Sequence, residues 1–285
     1  MIICKTKAEI RDLLKPVQLN QEKIALVPTM GALHEGHLSL IEKAREESDR
    51  VVATIFVNPL QFGPTEDFDT YPRQFEEDLA KLEVAGCDYV FAPERSSLFP
   101  DDFSTHVSVT QLTENHCGAV RPQFFGGIAT IVTKLLLIMR PTIAIFGEKD
   151  YQQLTMIRRM VRDLDIDVDI IGGPTVREED GLAMSSRNNY LTPKMRAIAP
   201  ALYRILSRAS LQASEGDQPW SKIKDKACAD LLDMGFESVD YFDLVDAQTL
   251  AMLAHAQGPA RILAAARIGQ GENEVRLIDN VPVDA

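Results

Sequence analysis

The chain has 285 residues, 45% hydrophobic and 25% charged, an ordinary balance for a soluble globular protein with capacity for one large domain or two modest ones. Its 30 basic against 42 acidic residues leave a net charge of −12, which excludes a general nucleic-acid surface, since a phosphate backbone demands a basic face. No apolar run reaches the roughly 20 residues of a membrane span; the longest, from Ile128 to Met139, is interrupted by Lys134.

In chain order, Lys5, Lys7 and Glu9 come first, where a signal peptide would need its apolar region. Cys4, Cys87, Cys117 and Cys228 show no CxxC spacing, so neither a disulfide framework nor a zinc site is expected, and the cytoplasm is the expected location. Up to about residue 175, short apolar runs at 24–27, 50–57, 89–92, 142–146 and 168–171 read as buried parallel strands. Between them, 38–47, 73–85, 128–140 and 152–164 read as helices. In the last of these, Leu154, Ile157, Met160, Val161 and Leu164 recur at helical spacing. This alternation predicts a Rossmann-like, doubly wound α/β domain over residues 1–175, with ligands at the carboxyl ends of its strands. The boundary is expected near Gly172-Gly173-Pro174. Beyond it, helices at 194–213 and 221–234 precede strands at 238–245, 260–267 and 275–278 with no helices between them. That order predicts a smaller α+β lid domain over 176–285 with antiparallel strands.

The segment leaving the first of these strands is Pro28-Thr29-Met30-Gly31-Ala32-Leu33-His34-Glu35-Gly36-His37. Unpaired backbone N–H groups and the positive end of the helix dipole make such a helix start a place for polyphosphate. Gly31 and Gly36 permit close backbone approach, and His34 and His37, three apart, fall on one helix face. A metal site is the weaker reading, because the spacing is three and a third ligand is not evident. Capping or packing is the plainer reading, and phosphate binding is the one the position favours.

The next strand ends in Asn58-Pro59-Leu60-Gln61, either two amides that orient hydroxyl and carboxylate groups or an Asn-Pro turn with an exposed glutamine. Residues 64–72, which include Tyr71, read as a long polar connection able to act as a mobile lid. At Gly147-Glu148-Lys149-Asp150, Lys149 can reach phosphates as a point charge and Asp150 can cap the following helix. Met184-Ser185-Ser186-Arg187 offers two hydroxyls and an arginine suited to clamping a triphosphate, although serine-rich turns are common. Arg121, Lys134, Lys149, Arg158, Arg159 and Arg187 are the basic residues expected near these motifs, with Arg158 and Arg159 also fitting a solvated helix face.

Together these four segments resemble the pantoate–β-alanine ligase family, over essentially the whole chain to Leu277-Ile278-Asp279-Asn280. That family is of the nucleotidyltransferase group, in which an HxGH element (His34 to His37) and a KMSKS-like loop (Met184-Ser185-Ser186-Arg187) embrace ATP. The resemblance implies that the pantoate carboxylate attacks the α-phosphorus of ATP, expelling pyrophosphate and forming pantoyl adenylate. The amine of β-alanine then attacks the activated carbonyl, releasing AMP and pantothenate. It implies ATP contacts at Met30, Gly31, Ala32, Leu33, His34, Glu35, Gly36, His37, Gly147, Glu148, Lys149, Asp150, Val176, Met184, Ser185, Ser186 and Arg187, with Mg²⁺ on the phosphates and no metal site of the protein's own. Pantoate and β-alanine are expected at Asn58, Gln61, Tyr71, Arg121 and Gln153. Catalysis is expected from His34, His37, Lys149, Ser185, Ser186 and Arg187, with His37 donating towards the departing pyrophosphate. Two anions meet in this reaction, so positioning and charge stabilisation should dominate. A homodimer is also implied, with no nucleic-acid or membrane partner.

One segment departs from the family's usual Arg-Pro-x-His-Phe-x-Gly, reading Arg121-Pro122-Gln123-Phe124-Phe125-Gly126-Gly127. Phe124 cannot make a histidine's polar contact, so a ligand contact is expected of Arg121 but not of residue 124. The alternatives are another adenylyl transfer that keeps the nucleotide in its product, and a non-catalytic nucleotide-binding module. The amide pair Asn58/Gln61 favours the ligase over the first, and the joint presence of His37, Lys149 and Ser185-Ser186-Arg187 favours it over the second.

Overall fold

The computed structural model describes residues 1–63 and 68–284. Its chain groups into two compact units, neither of them a single stretch. Met1–Thr113, Arg121–Glu148 and Met156–Pro174 form the first; Glu114–Val120, Lys149–Thr155 and Thr175–Ala285 form the second.

The elements through residue 173 are β1 (Ile2–Cys4), α1 (Lys7–Leu19), β2 (Ile24–Thr29), α2 (Glu35–Glu47), β3 (Arg50–Ile55), α3 (Phe75–Val84), β4 (Tyr89–Phe91), α4 (Arg95–Leu98), α5 (Cys117–Val120), α6 (Phe124–Met139), β5 (Ile143–Gly147), α7 (Tyr151–Asp163) and β6 (Asp169–Gly173). The strands make one parallel sheet in the order β1-β4-β3-β2-β5-β6. Ala25, Val27, Val51, Ala53, Ile143 and Ile145 pack with Leu40, Ile41 and Ala44 of α2 and with Leu79 and Leu82 of α3. Strand alternation turns Leu26, Val52 and Ala144 to the other face, and these are also wholly buried. A sheet covered on both faces explains why its strands read as continuous apolar runs.

From β2 the chain moves outward on one side through β3 and β4, then returns to place β5 and β6 on the other. The order reverses between β2 and β5, and open α/β sheets hold ligands outside the carboxyl ends of the strands at such a point. The segment beginning at Met30 leaves one of these two ends and the segment beginning at Glu148 leaves the other.

β1, α1 and the four-residue helices α4 and α5 are not among the predicted elements. β1 is an edge strand of three residues, too short for a periodic signal. α1 does carry a signal: Thr6 Oγ1 accepts from Glu9 N at 3.2 Å and Glu9 Oε2 accepts from Thr6 N at 3.1 Å, a reciprocal capping box. The connection expected as a lid falls partly on residues 64–67, which lie outside the described residues.

The second unit holds α8 (Pro193–Ile198), α9 (Ala201–Glu215), α10 (Trp220–Asp233), β7 (Ser238–Asp246), β8 (Ala260–Ile268) and β9 (Val275–Val283). Its three strands are antiparallel in the order β7-β8-β9. The helix predicted over 194–213 is two helices, because Pro200 has no N–H to continue the ladder. β9 outruns its predicted end at 278, and Pro282 is tolerated within it because β9 is an edge strand. Trp220 stacks on Phe242, with ring centres 5.9 Å apart, within a core that includes Leu206, Ile262 and Ala264.

α5 and the start of α7 are bound into this unit. Cys117 N donates to Gln152 Oε1 at 3.0 Å, and Gln152 Nε2 donates to Asn115 O at 2.8 Å. His116 Nδ1 lies 3.2 Å from Asp243 Oδ2 on β7. Among the described residues, no helix is long and apolar enough to cross a membrane.

Candidate active site

The turn between β2 and α2 is held by buried polar groups. Thr29 Oγ1 donates to Thr54 O at 2.6 Å, and Thr29 N donates to Thr54 Oγ1 at 3.1 Å, locking the ends of β2 and β3 together. Gly31 sits at φ +85°, where a Cβ would stand 2.8 Å from Asp78 Oδ2, so only glycine fits. Ala32 follows at φ +52°, a left-handed conformation costly for a residue with a Cβ. Asp78, buried on α3, accepts from Ala32 N and Leu33 N at 2.8 Å each, and Lys81 Nζ donates to Leu33 O at 2.7 Å. A residue bonded at both its donor and its acceptor cannot drift.

This turn delivers His34 as the N-cap of α2 and His37 into its first turn, so the helix begins at Glu35, three residues before the predicted start. His34 Nδ1 accepts from Gly36 N at 3.1 Å, and His37 Nδ1 accepts from His34 N at 3.4 Å. A ring nitrogen that accepts an N–H carries no proton, so each neutral imidazole bears its proton on Nε2. The rings lie 4.1 Å apart, centre to centre. The pair therefore caps its helix and also provides two Nε2–H donors at the positive end of a helix dipole, an arrangement that favours an anion.

After β3, Asn58 is only 1% exposed. Its Nδ2 donates to Gln61 Oε1 at 3.0 Å and Gly127 O at 3.1 Å, while its Oδ1 accepts from Leu60 N at 3.3 Å. Asn58 thus uses its amide to hold the turn. Gln61, half-buried, is the amide that this turn presents; its Nε2 lies 2.9 Å from Met30 Sδ. A Cβ on Gly127 of α6 would collide with Leu60 O, so the helix can abut this turn only through a glycine.

Arg121 Nη2 donates to Gln61 O at 3.2 Å, and its guanidinium lies 3.6 Å over the ring of Phe124. The ring at this departure from the family pattern is thus a platform for the arginine. Tyr71 is buried edge-on against Phe62.

Met30, Gly31, Ala32, Leu33, His34, Glu35, Gly36, His37, Asn58, Gln61, Tyr71, Arg121, Gly147 and Glu148 belong to the first unit. Lys149, Asp150, Gln153, Val176, Met184, Ser185, Ser186 and Arg187 belong to the second. There, Lys149 Nζ lies 3.6 Å from Asp150 Oδ2, and Gln153 is half-buried in the first turn of α7. Asp150 lies in a short 3₁₀ turn ahead of α7. Ser185 Oγ accepts from Arg187 N at 3.3 Å, capping the 3₁₀ turn Ser186–Tyr190 and orienting the two residues that follow it.

Not every basic residue expected near the motifs is bound to them. Lys134 Nζ instead lies 4.5 Å over Phe103 and 5.4 Å over Phe99; burial, with the charge of Lys7, holds its ammonium below the usual lysine value. Arg158 is exposed and donates weakly to Ile170 O at 3.4 Å.

Sequence reasoning misses Asp78, Lys81 and the Thr29/Thr54 pair. The signal for Asp78 is available: it lies on the apolar stripe of α3 with Phe75, Leu79 and Leu82, where a carboxylate needs a partner.

Comparison with known proteins gives the chemistry. A family model described as pantoate-beta-alanine ligase matches residues 2–282. The pantothenate synthetase of Paramagnetospirillum magneticum is 54% identical over 264 residues, which is 92% of this chain and 90% of that one. The crystal structure of pantothenate synthetase from Thermus thermophilus superposes with a TM-score of 0.91 at 47% identity, covering 99% of each chain. That of pantoate-beta-alanine ligase from Francisella tularensis, complexed with beta-gamma ATP and beta-alanine, superposes at 0.82 with 34% identity, covering 99% of this chain and 97% of that one. Fold and matches together define a ligase built on a doubly wound parallel sheet with a smaller antiparallel sheet after it. The chain belongs to the pantoate–β-alanine ligase family, whose members join pantoate to β-alanine.

Proposed function

We propose that the chain performs this ligation with ATP in two chemical steps. A carboxylate oxygen of pantoate attacks the α-phosphorus, the bond to the bridging oxygen breaks, and pyrophosphate leaves. The β-alanine nitrogen then attacks the acyl carbon of pantoyl adenylate, loses a proton, and AMP departs with its oxygen. The observation that carries this reading is the histidine pair: two Nε2–H donors at a helix N-terminus, at the carboxyl end of β2 beside the switch point. Such donors act on charge that develops on a leaving pyrophosphate. The Francisella relative solved with beta-gamma ATP and beta-alanine supports the choice of substrates.

In this reading His37 and His34 stabilise the departing pyrophosphate, and Lys149, Ser185, Ser186 and Arg187 neutralise the triphosphate. Gly31, Ala32, Leu33, Glu35 and Gly36 supply the backbone that the nucleotide approaches, with Met30, Gly147, Glu148, Asp150, Val176 and Met184 as its further contacts. Gln61 and Gln153 hold pantoate, Gln61 also serving β-alanine. Arg121 contacts the acid substrate, and Asn58 and Tyr71 act by fixing the Gln61 turn.

Mg²⁺ belongs to the same reading as a companion of the triphosphate. It keeps several waters and takes one or two carboxylates plus phosphate oxygens rather than a protein cage. Among the described residues no group of three or more His, Cys, Asp or Glu could hold a metal. Asp150 is the carboxylate available beside Lys149, and the ion would neutralise phosphate charge. A cytoplasmic location, where ATP is supplied, and a homodimer, as the family resemblance implies, complete the proposal. Light scattering tests the dimer.

The deciding experiment is pantoate-dependent exchange of labelled pyrophosphate into ATP with β-alanine omitted. His37→Ala should lower the exchange rate by roughly 10²–10³, the scale of one charge-stabilising donor. Lys149→Ala should behave alike. Exchange at the wild-type rate in both variants overturns the assignment, and exchange without pantoate overturns the acceptor.

A further inference from the structure

We infer that Asp279 and Asn280, consecutive buried residues on β9, are positioning residues for the phosphate-handling groups of the second unit. Asn280 fixes the Lys149 turn by its backbone, and Asp279 fixes the Ser185-to-Arg187 loop through Arg177. The inference rests on the roles proposed above for Lys149 and that loop, and names what holds each in place.

Each residue is 4% exposed, and polar groups so buried are costly unless bonded. Asp279 takes both arms of the Arg177 guanidinium, Nη1 at 2.6 Å and Nη2 at 2.9 Å, the fork geometry that fixes direction as well as distance. Arg177 is pinned again by its stack over Tyr203 at 3.7 Å and by its bond to Gly181 O at 3.1 Å. Its backbone forms an antiparallel bridge with Ala183, and Met184 N donates to Val176 O at 3.0 Å. Arg177 therefore stands at the base of a hairpin whose returning strand becomes Met184-Ser185-Ser186-Arg187.

Asn280 serves the other group. Its Nδ2 donates to Lys149 O at 2.8 Å, and its Oδ1 accepts from Arg261 Nη1. Arg261 in turn lies 3.9 Å over the ring of Tyr151, whose hydroxyl donates to Ala247 O at 3.0 Å. The turn that carries Lys149 is thus held at its carbonyl and again two residues later. The two braces are themselves joined, since Asn280 N donates to Asp279 Oδ1 at 2.7 Å. Consecutive strand residues point to opposite faces, which is how one dipeptide reaches two different loops. Two apolar residues would fill the same space but would give neither loop an address.

The test is a double-mutant cycle on pantoate-dependent pyrophosphate exchange in the full chain, with the thermal midpoint recorded for each variant. Asn280→Asp keeps an oxygen for Arg261 but sets an acceptor against Lys149 O. It should lower the exchange rate roughly 10- to 100-fold, the scale of a misplaced catalytic group. In a Lys149→Ala background the same change should cost less than about twofold, because coupled residues are not additive. Arg177→Lys, which keeps a cation for Asp279 but loses the fork and the stack, should show the same loss of effect in an Arg187→Ala background. Equal losses in both backgrounds would make the pair merely structural and overturn the inference. Full exchange by Lys149→Ala would instead overturn the site reading, and this inference with it. Loss in Lys149→Ala with none in Asn280→Asp would overturn the brace alone.

Discussion

Asp78 accepts the backbone N–H of Leu33 at 2.8 Å across 45 residues of sequence. With its other oxygen on Ala32 N, the carboxylate holds a turn whose second residue is left-handed without being glycine. The strain is stored one residue before Leu33 and two before His34, which caps α2.

Asp78→Asn leaves one acceptor where two donors point, and turns an amide N–H₂ towards a backbone N–H. The expected cost is about 1–3 kcal/mol of stability, from buried polar groups left unsatisfied. Pyrophosphate exchange should fall by roughly 10- to 100-fold through displacement of the histidine pair. Urea unfolding measures the first and isotope exchange the second; a stability loss with undiminished exchange would show that the turn holds without the carboxylate.

Gly127→Ala drives a Cβ into the backbone of Leu60 and Gln61, 2.7 Å from Gln61 N and closer still to Leu60 O. Overpacking of this kind costs about 1–3 kcal/mol, and the turn is the part that must shift. Because Gln61 sits on that turn, the KM for pantoate should rise more than the KM for ATP. Equal rises in the two constants would count against a pantoate role for Gln61.

The ring of Phe124 supports Arg121 from 3.6 Å. Phe124→Ala removes that platform and should raise the KM for pantoate several-fold while leaving ATP binding alone. Phe124→His, which keeps an aromatic face, should be near neutral or mildly better in turnover. Steady-state kinetics of the two variants separate loss of the ring from change of its polarity.

Asp240, on β7, ties Arg267 of β8 and Arg276 of β9 together, with Arg267 Nε at 2.8 Å and Arg276 Nε at 2.6 Å. Burial pushes its carboxyl up, but the two guanidinium partners outweigh this and hold it below the ordinary carboxylate value. A carboxyl depressed by folding stabilises above its unfolded pKa of about 3.9 and loses that contribution as pH falls through the folded value. Asp240→Asn should therefore be less stable than the parent at pH 7, and the two should converge as the pH falls through the lowered folded value. Thermal midpoints between about pH 7 and pH 2.5 measure this; a gap that persists into acid would assign the effect to shape rather than charge.

Sequence legibility follows the kind of force at work. The strands at β2, β3, β5 and β6 are readable because a sheet buried on both faces writes apolar runs, and α7 is readable from its helical spacing. His34 and His37 are legible as a pair because three-residue spacing on a helix is local geometry. Asp78, Asp279 and Asn280 are not, since Leu33, Arg177 and Lys149, which they bond, lie 45, 102 and 131 residues away and nothing local says what a buried carboxylate or amide will bind. Asn58 reads in sequence either as an amide for a ligand or as part of an Asn-Pro turn, and the bonds of its Nδ2 to Gln61 and to Gly127, the latter 69 residues on, are not legible there. The helix predicted over 194–213 hides its break because periodicity is continuous across Pro200, while the backbone is not.

The second unit draws residues 114–120 and 149–155 from the middle of the chain, and these are bonded to strands that begin only at Ser238. His116 and Cys117 emerge during synthesis more than a hundred residues before Tyr241 and Asp243 exist to receive them. Until then two short pieces must wait without their partners, as long-range contacts oblige any growing chain to do. A fragment cut at residue 175 would be left in that waiting state permanently, with His116 lacking Asp243 and the carbonyl of Lys149 lacking Asn280. In this chain the loops proposed to handle phosphate take these partners only once the last strand is made.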